Sequence, residues 1–170
     1  MDKYMILTGQ EIINSVDNGN ITISNFDYSR INPNSYNYLL GNEIKAFSGK
    51  DTDGSPKFDT ITLNDEGYVL HPGSMYLGVT DEIIGSSLFA MSLIGRSSIG
   101  RLGLFLQISA NLGHTTSRHQ WTLELHAARP IRIYPKMPIG QVSFWKNDGS
   151  VQCFGKTYAL YNSPTERLPA

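Results

Sequence analysis

A run of guanidinium, hydroxyl and glycine residues between positions 95 and 104 is the most chemically informative part of the sequence. It reads Gly-Arg-Ser-Ser-Ile-Gly-Arg-Leu-Gly-Leu and follows an apolar segment. Arg side chains offer paired donors to phosphate oxygens, and hydroxyls with the backbone N–H groups of a glycine-containing turn offer more. The run therefore favours a phosphate or polyphosphate site, although a polar turn with solvated arginines has the same composition.

A carboxylate on an alternating segment is the second candidate. Residues 120–127 read Gln-Trp-Thr-Leu-Glu-Leu-His-Ala. The alternation predicts a strand with Trp121, Leu123 and Leu125 on the apolar face and Glu124 on the polar face. A Glu in that position is either exposed to solvent or directed into a cleft where it transfers protons, and the pattern alone leaves both open.

The histidines close to this carboxylate raise the question of a metal site. His114 and His119 precede the strand and His126 lies on it. Their spacing matches no common zinc signature, and loop histidines are ordinary surface residues. Zinc deaminases use a His-x-Glu segment and a later Pro-Cys-x-x-Cys, and neither is present. No metal site is expected, so a base deaminated by this chain would be deaminated without zinc.

Composition excludes several classes of protein. The chain has 170 residues, 40% of them hydrophobic and 17% charged, with a net charge of -1 and no block of Lys and Arg. It is long enough for one domain, and it has no cluster of basic residues of the kind that binds nucleic acid. Its single cysteine, Cys153, excludes an intrachain disulfide. No secretory signal or membrane-length apolar run is visible, so we expect a cytoplasmic protein without membrane contact.

The spacing of apolar residues predicts one short helix followed by many strands. Thr8 and Glu11 form a capping box, and the helix is expected to end at residues 17–19. Beyond it, 49–56 is predicted as a mobile loop and 30–35 as a polar turn, while residues 155–170 form an arm or a disordered terminus. The predicted strand segments are 21–26, 36–47, 60–63, 75–79, 86–93, 104–110, 120–127, 130–134 and 141–145. This succession is typical of a β-sandwich or barrel.

Several motifs together resemble one known family. Arg-Ser-Ser-x-x-Arg-Leu-Gly-Leu at 96–104 and Thr-Leu-Glu-Leu at 122–125 are similar to the dCTP deaminase branch of the dUTPase superfamily. Asn-Pro-Asn-Ser-Tyr at 32–36 and Met-Pro-Ile-Gly-Gln at 137–141 resemble it too, so the likeness covers nearly the whole chain. It implies a single distorted β-barrel or jelly-roll domain over 1–170 with a short N-terminal helix and a C-terminal arm at 155–170. It also implies a homotrimer with active sites between subunits.

The resemblance assigns roles to individual residues. Glu124 matches the general acid/base that removes the cytosine 4-amino group, and Ser97 and Arg101 match residues that orient the water, the base and Glu124. The remaining positions implied to contact substrate are Arg96, Ser98, Ser109, Ala110, Asn111, His114, Ser117, Gln141 and Tyr158.

The chain departs from the family pattern in the loop at 113–119. Where the family has Ile-Asp-x-Gly-aromatic-x-Gly, this sequence reads Gly-His-Thr-Thr-Ser-Arg-His. His114 replaces the Asp that binds the sugar 3′-hydroxyl and activates water in dUTPases, and Ser117 replaces the aromatic residue that packs on the sugar. Asn37 stands where an Asp is usual, and Tyr161 where a Gln is usual. We therefore expect a wider and more polar sugar pocket.

Three functional hypotheses follow. The first is metal-free hydrolytic deamination of a cytosine nucleotide, dCTP or a related or modified form, to the uracil nucleotide. The second is a dUTPase-like pyrophosphatase, which the His114 replacement disfavours. The third is a non-catalytic nucleotide-binding relative. No cofactor is required for the ring chemistry, and Mg²⁺ is expected only with the nucleotide phosphates.

Overall fold

The computed structural model describes residues 5–153 and 162–165, and in this part of the chain most regular structure is antiparallel β-sheet. Helix α1 spans Gly9–Asp17, where Thr8 Oγ1 accepts a hydrogen bond from the backbone N–H of Glu11 at 3.4 Å. The predicted helix and its N-cap at Thr8 are confirmed, whereas the Glu11 carboxylate accepts from Asn14 Nδ2 at 3.3 Å. A second helix, α2 (Ser97–Gly100), and a 3-10 turn at Tyr28–Arg30 were not predicted.

Fifteen strands lie within the described residues. In chain order they are β1 (Ile21–Ile23), β2 (Ile31–Asn32), β3 (Ser35–Leu39), β4 (Glu43–Lys50), β5 (Pro56–Thr62), β6 (Tyr68–Leu70), β7 (Tyr76–Val79), β8 (Ile84–Ser86), β9 (Phe89–Gly95), β10 (Leu104–Leu106), β11 (Leu112–Gly113), β12 (Arg118–His119), β13 (Thr122–Ala127), β14 (Ile131–Ile133) and β15 (Pro138–Lys146).

Two five-stranded antiparallel sheets carry most of the structure. One has the strand order β10-β13-β7-β4-β5 and the other the order β11-β9-β15-β3-β2. A three-stranded sheet, β1-β8-β12, and the pair β14-β6 complete the arrangement. Strands distant in sequence are neighbours in both large sheets, so the chain crosses repeatedly between layers. The predicted mostly β fold is confirmed.

The hydrophobic core takes side chains from both large sheets. Tyr36 and Tyr38 from β3, Ile44 from β4, Leu123 from β13 and Phe144 from β15 are all fully buried. Removing this apolar surface from water is the main stabilising contribution to such a fold.

Gly140 is required by close packing inside the second large sheet. A Cβ atom at this position would collide with the ring of Tyr38. The Tyr38 hydroxyl donates to the carbonyl of Ile94 at 3.0 Å, and burial raises the pKa of this phenol. Gly140 therefore lets Tyr38 cross β15 and reach the end of β9, next to the sequence run at 95–104.

Cross-strand pairing changes several predicted boundaries. The segment 36–47 is divided into β3 and β4. The loop predicted at 49–56 is shorter than expected, because the pairing of β4 with β5 extends as far as the pair Lys50 and Pro56. The Phe47 and Phe58 rings meet edge to face at 5.9 Å across this hairpin, which stabilises the longer pairing. The segment 104–110 is a strand only to Leu106, because the backbone turns to φ 51 at Gln107.

Candidate active site

Glu124 lies in the middle of β13, between β10 and β7 in the first large sheet. Its neighbours Leu123 and Leu125 are buried in the core, whereas Glu124 is half-buried on the opposite face. The predicted alternation is therefore confirmed. The Ser109 hydroxyl donates to Oε2 of Glu124 at 3.3 Å, so the carboxylate faces the segment 109–111.

The segment Ser109–Asn111 is held by its backbone and by one side chain. The carbonyl of Asn111 accepts from the N–H of Leu93 at 2.9 Å, and Asn111 Nδ2 donates to Ser92 Oγ at 3.1 Å. All three residues of the segment are exposed. A ligand placed against Glu124 can therefore reach them, and β9 fixes their position.

Gln107 links this segment to Glu124, and the sequence analysis missed it. The backbone N–H of Glu124 donates to Gln107 Oε1 at 2.7 Å, and Gln107 Nε2 donates to the carbonyl of Ala110 at 3.0 Å. Residues 104–110 are predicted from the sequence as one strand, and a regular strand would direct the Gln107 side chain out of the plane of the sheet. The predicted strand therefore allows no bond from this side chain to the backbone of Glu124.

The arginine and serine run forms an exposed turn at the end of β9. Arg96 caps the short helix α2 and donates from Nη1 to the carbonyl of Pro138 at 3.3 Å. Ser97, Ser98 and Arg101 are exposed. Within the described residues of the chain, no hydrogen bond joins Ser97 or Arg101 to Glu124, so these two groups of predicted site residues are not connected directly.

Gln141 stabilises the end of β9, from which this turn continues. Its Oε1 atom accepts from the Ser35 hydroxyl at 2.8 Å, and its Nε2 atom donates to the carbonyl of Gly95 at 3.5 Å. Asn32 Nδ2 donates in turn to Ser35 Oγ at 3.1 Å, and Asn37 Nδ2 donates to Asn32 Oδ1 at 3.3 Å. This amide and hydroxyl network fixes the backbone immediately before Arg96.

The buried carboxylate of Glu82 anchors a turn at residues 80–82 that contacts the start of β13. Glu82 is fully buried, forms an ion pair with Arg30, and accepts from the N–H of Leu39 at 3.0 Å. Burial raises the pKa of Glu82, and the hydrogen bonds and positive charge of its partners oppose that shift. Thr80 Oγ1 donates to the carbonyl of Glu82 at 2.7 Å and accepts from the N–H of Trp121 at 2.9 Å. The start of β13 is therefore tied to a rigid turn.

The divergent loop at 113–119 is packed rather than open. His114 is exposed, but Thr115, Ser117 and His119 are buried. Thr116 has a φ of 74°, a conformation that a β-branched residue rarely adopts, at the position where the family pattern has glycine. Within the described residues no buried side-chain nitrogen or oxygen lacks a hydrogen-bond partner.

His119 and Trp121 fill the interior beside this loop. Their rings lie 4.1 Å apart, and His119 Nδ1 lies 2.7 Å from the carbonyl oxygen of Gln120. A carbonyl can only accept, so Nδ1 carries the proton in this contact. Burial lowers the pKa of His119 and so favours the neutral ring, and the hydrogen bond to Gln120 opposes this shift.

A polar cavity of about 330 Å³ lies between the loop and the segment after β15. His114, Thr115, Asn147 and Asp148 line it, and Asn147 Nδ2 donates to the carbonyl of Leu88 at 2.8 Å. Ser117, the other predicted sugar contact, does not line this cavity. In the described part of the chain, no cluster of three or more His, Cys, Asp and Glu side chains could hold a metal ion, and no helix is long and apolar enough to cross a membrane.

Part of the C-terminal arm returns to β13. Asn162 Oδ1 accepts from the N–H of Gln120 at 3.1 Å, and the N–H of Thr165 donates to Thr122 Oγ1 at 3.2 Å. Thr122 precedes Glu124 by two residues and shares its face of the strand. Tyr158 and Tyr161, the arm residues singled out from the sequence, lie outside the described residues.

Comparison with known proteins identifies the family. A family model described as dCTP deaminase-like matches residues 6–147. A dCTP deaminase of Rhodopirellula baltica is 42% identical over 147 residues, which are 85% of this chain and 74% of that protein. A protein of Hathewaya histolytica named dCTP deaminase, dUMP-forming, is 41% identical over 168 residues, which are 98% of this chain and 96% of that protein.

A solved structure supports the same fold. The 2′-deoxycytidine 5′-triphosphate deaminase of Agrobacterium tumefaciens superposes with a TM-score of 0.69 over 86% of this chain, at 19% sequence identity. The match spans 49% of that protein's chain, about half of its length. With the family model and the two relatives, this likeness leads to one conclusion: the chain belongs to the dCTP deaminase-like family.

Proposed function

We propose that this chain hydrolytically deaminates a cytosine nucleotide, with dCTP as the first substrate to test, and releases ammonia and the uracil nucleotide. The observation that carries the proposal is Glu124, a half-buried carboxylate that faces the exposed segment Ser109–Asn111. A carboxylate beside a fixed run of backbone donors and acceptors can transfer protons to a ring whose edge that backbone holds. The names of the two relatives support the same activity.

The proton transfers can all pass through Glu124. Its carboxylate takes a proton from water as the oxygen attacks C4 of the ring, and returns that proton to N3. The tetrahedral intermediate then holds both the hydroxyl and the amino group on C4. Glu124 takes the hydroxyl proton and delivers it to the amino group, the C4–N bond breaks, and ammonia leaves. Ser109 donates to Glu124 Oε2, and the proposal assigns the other oxygen, Oε1, to the reacting water.

The proposal includes assembly from several subunits. Ser97 and Arg101 are exposed and form no hydrogen bond with Glu124 within the described part of the chain, so a neighbouring copy is proposed to supply them. Two apolar residues that flank the segment Ser109–Asn111 are exposed, Ile108 at 67% and Leu112 at 60%. Exposed apolar residues grouped beside a site are typical of subunit interfaces. A homotrimer with sites between subunits satisfies both observations.

The chemistry is proposed to need no metal at the ring. Water attack and ammonia release require only the proton transfers above, and Mg²⁺ would act by neutralising the nucleotide phosphates. A cytoplasmic location, where free nucleotides are available, belongs to the same proposal.

Release of diphosphate is a second candidate activity. The Hathewaya histolytica relative is named dUMP-forming, and forming dUMP from dCTP requires cleavage of the phosphate chain as well as deamination. In this chain His114 stands where the family pattern has the Asp that activates water in dUTPases. The replacement removes that carboxylate, so this reaction would need the His114 imidazole to accept the proton of the water instead.

Product analysis with dCTP separates the hypotheses. Ammonia with dUTP indicates deamination alone, and ammonia with dUMP and diphosphate indicates both reactions. Diphosphate with dCMP and no ammonia would contradict the proposal and favour a pyrophosphatase. Measurable dCTP binding without any product would contradict it and favour a non-catalytic binding protein.

A further inference from the structure

Gln107 interrupts a strand at the point where that strand faces Glu124. Residues Leu104–Leu106 pair with Leu125–Ala127, so Gln107 comes next opposite Glu124. Hydrogen-bonded pairs alternate along an antiparallel ladder, and the N–H of Gln107 does donate to the carbonyl of Glu124 at 3.3 Å. Regular pairing would continue with a bond from the N–H of Glu124 to the carbonyl of Gln107.

The Gln107 side chain takes the place of its own carbonyl in this bond. The backbone of Gln107 turns to φ 51, and Oε1 of its side chain accepts from the N–H of Glu124 at 2.7 Å. The other end of the same amide, Nε2, donates to the carbonyl of Ala110 at 3.0 Å. One planar group therefore joins the backbone of the Glu124 strand to the backbone of the segment Ser109–Asn111.

We infer that Gln107 is a positioning residue for the deamination, which rests on the proposed function. Its amide sets the distance between Glu124 and the segment Ser109–Asn111. A pyrimidine ring held against that segment then presents C4 to the carboxylate. Small displacements of reacting groups cause large losses of rate, so a group that fixes this distance affects turnover more than binding.

Gln107→Gly tests the inference, since glycine adopts a positive φ without strain and removes both side-chain hydrogen bonds. The rate of ammonia release at saturating dCTP is expected to fall about ten- to hundredfold, with KM changed less than about threefold. Lys136→Gly is the matched control, because Lys136 also has a positive φ, 59°, and lies exposed in a turn, where its backbone N–H donates to the carbonyl of Leu40. It is expected to keep the original rate.

Gln107→Glu provides a readout that a purely structural role would not change. The variant keeps an acceptor for the N–H of Glu124, loses the donor to Ala110 and adds a negative charge beside Glu124. A second carboxylate disfavours ionisation of the first, so the acidic limb of the kcat profile is expected to move to higher pH.

The outcomes separate this inference from the proposed function. The unaltered chain is assayed first, and absence of ammonia release there would contradict both. If the unaltered chain is active, two results would overturn the inference alone. One is a Gln107→Gly variant with the original kcat. The other is a Gln107→Glu variant whose pH profile coincides with that of the unaltered chain.

Discussion

The Trp121 ring occupies the space that a side chain at position 113 would fill. A Cβ atom on Gly113 would lie 3.0 Å from a ring carbon of Trp121 and 3.1 Å from Cβ of Met91. The family pattern has Ile at position 113, so the glycine and the large ring compensate in volume. Such compensation is needed for the stability of the fold, because overpacking or a void at this buried position would each be destabilising.

The presence of His114, where the family pattern has Asp, predicts weak discrimination between deoxyribose and ribose nucleotides. His114→Asp combined with Ser117→Trp should increase the preference for dCTP over CTP, measured as the ratio of kcat/KM values, by about tenfold, because an aromatic ring against the sugar leaves no room for the 2′-hydroxyl of CTP. A hydroxyl left unpaired in a buried site costs about 1–3 kcal/mol. His71→Asp, which adds the same charge at an exposed turn, is the control. If the unaltered chain already prefers dCTP by several hundredfold, the loop does not set sugar choice.

Burial of His119 predicts that stability depends on pH. Its pKa is lowered from 6.5 by burial, so the folded chain favours the neutral ring. The contribution of the neutral His119 ring to the free energy of unfolding is therefore complete above about pH 6.5. It is lost as the pH falls through the lower pKa that His119 has in the folded chain. His119→Phe should flatten the decline of the thermal midpoint between about pH 7 and pH 5. His71→Gln, the control, should leave this decline unchanged. If the thermal midpoint of His119→Phe fell with pH as steeply as that of the unaltered chain, His119 would not be the residue responsible.

The proposed site, in which one copy of the chain supplies Arg101 and its neighbour supplies Glu124, predicts complementation between inactive variants. Arg101→Ala and Glu124→Gln should each have little activity alone. Random mixing should restore roughly a quarter of the activity, because one shared site in four then combines both intact residues. Mixing Arg101→Ala with the double variant should restore none. A monomer by light scattering that still releases ammonia would contradict the shared site.

Independence from transition metals is the next prediction. Dialysis against 1,10-phenanthroline, with Mg²⁺ kept in excess, should leave the rate of ammonia release within about twofold of its starting value, because proton transfer by Glu124 needs no Lewis acid. Metal content measured on the same sample provides the control. Stoichiometric zinc whose removal abolishes ammonia release would disprove this part of the account.

The parts of the structure that follow local patterns could be predicted from the sequence. The capping box placed α1, and strict alternation placed β13 with Glu124 on its polar face. Gln107 could not be found in this way, because glutamine carries no signal for a positive φ and the apolar pattern continues past it. Glu82 could not either, since only the folded chain brings Arg30 to it. Contacts between residues distant in sequence decide both cases.

The central claim is that Glu124 transfers the protons of the deamination, and Glu124→Gln tests it most directly. Gln keeps the size and the hydrogen bond from Ser109 but cannot exchange a proton. The account predicts that ammonia release from dCTP falls by about a hundred- to ten-thousandfold while dCTP binding stays within a few-fold. Glu66→Gln, at an exposed carboxylate, should keep full activity. A Glu124→Gln variant that releases ammonia at nearly the original rate would contradict the account.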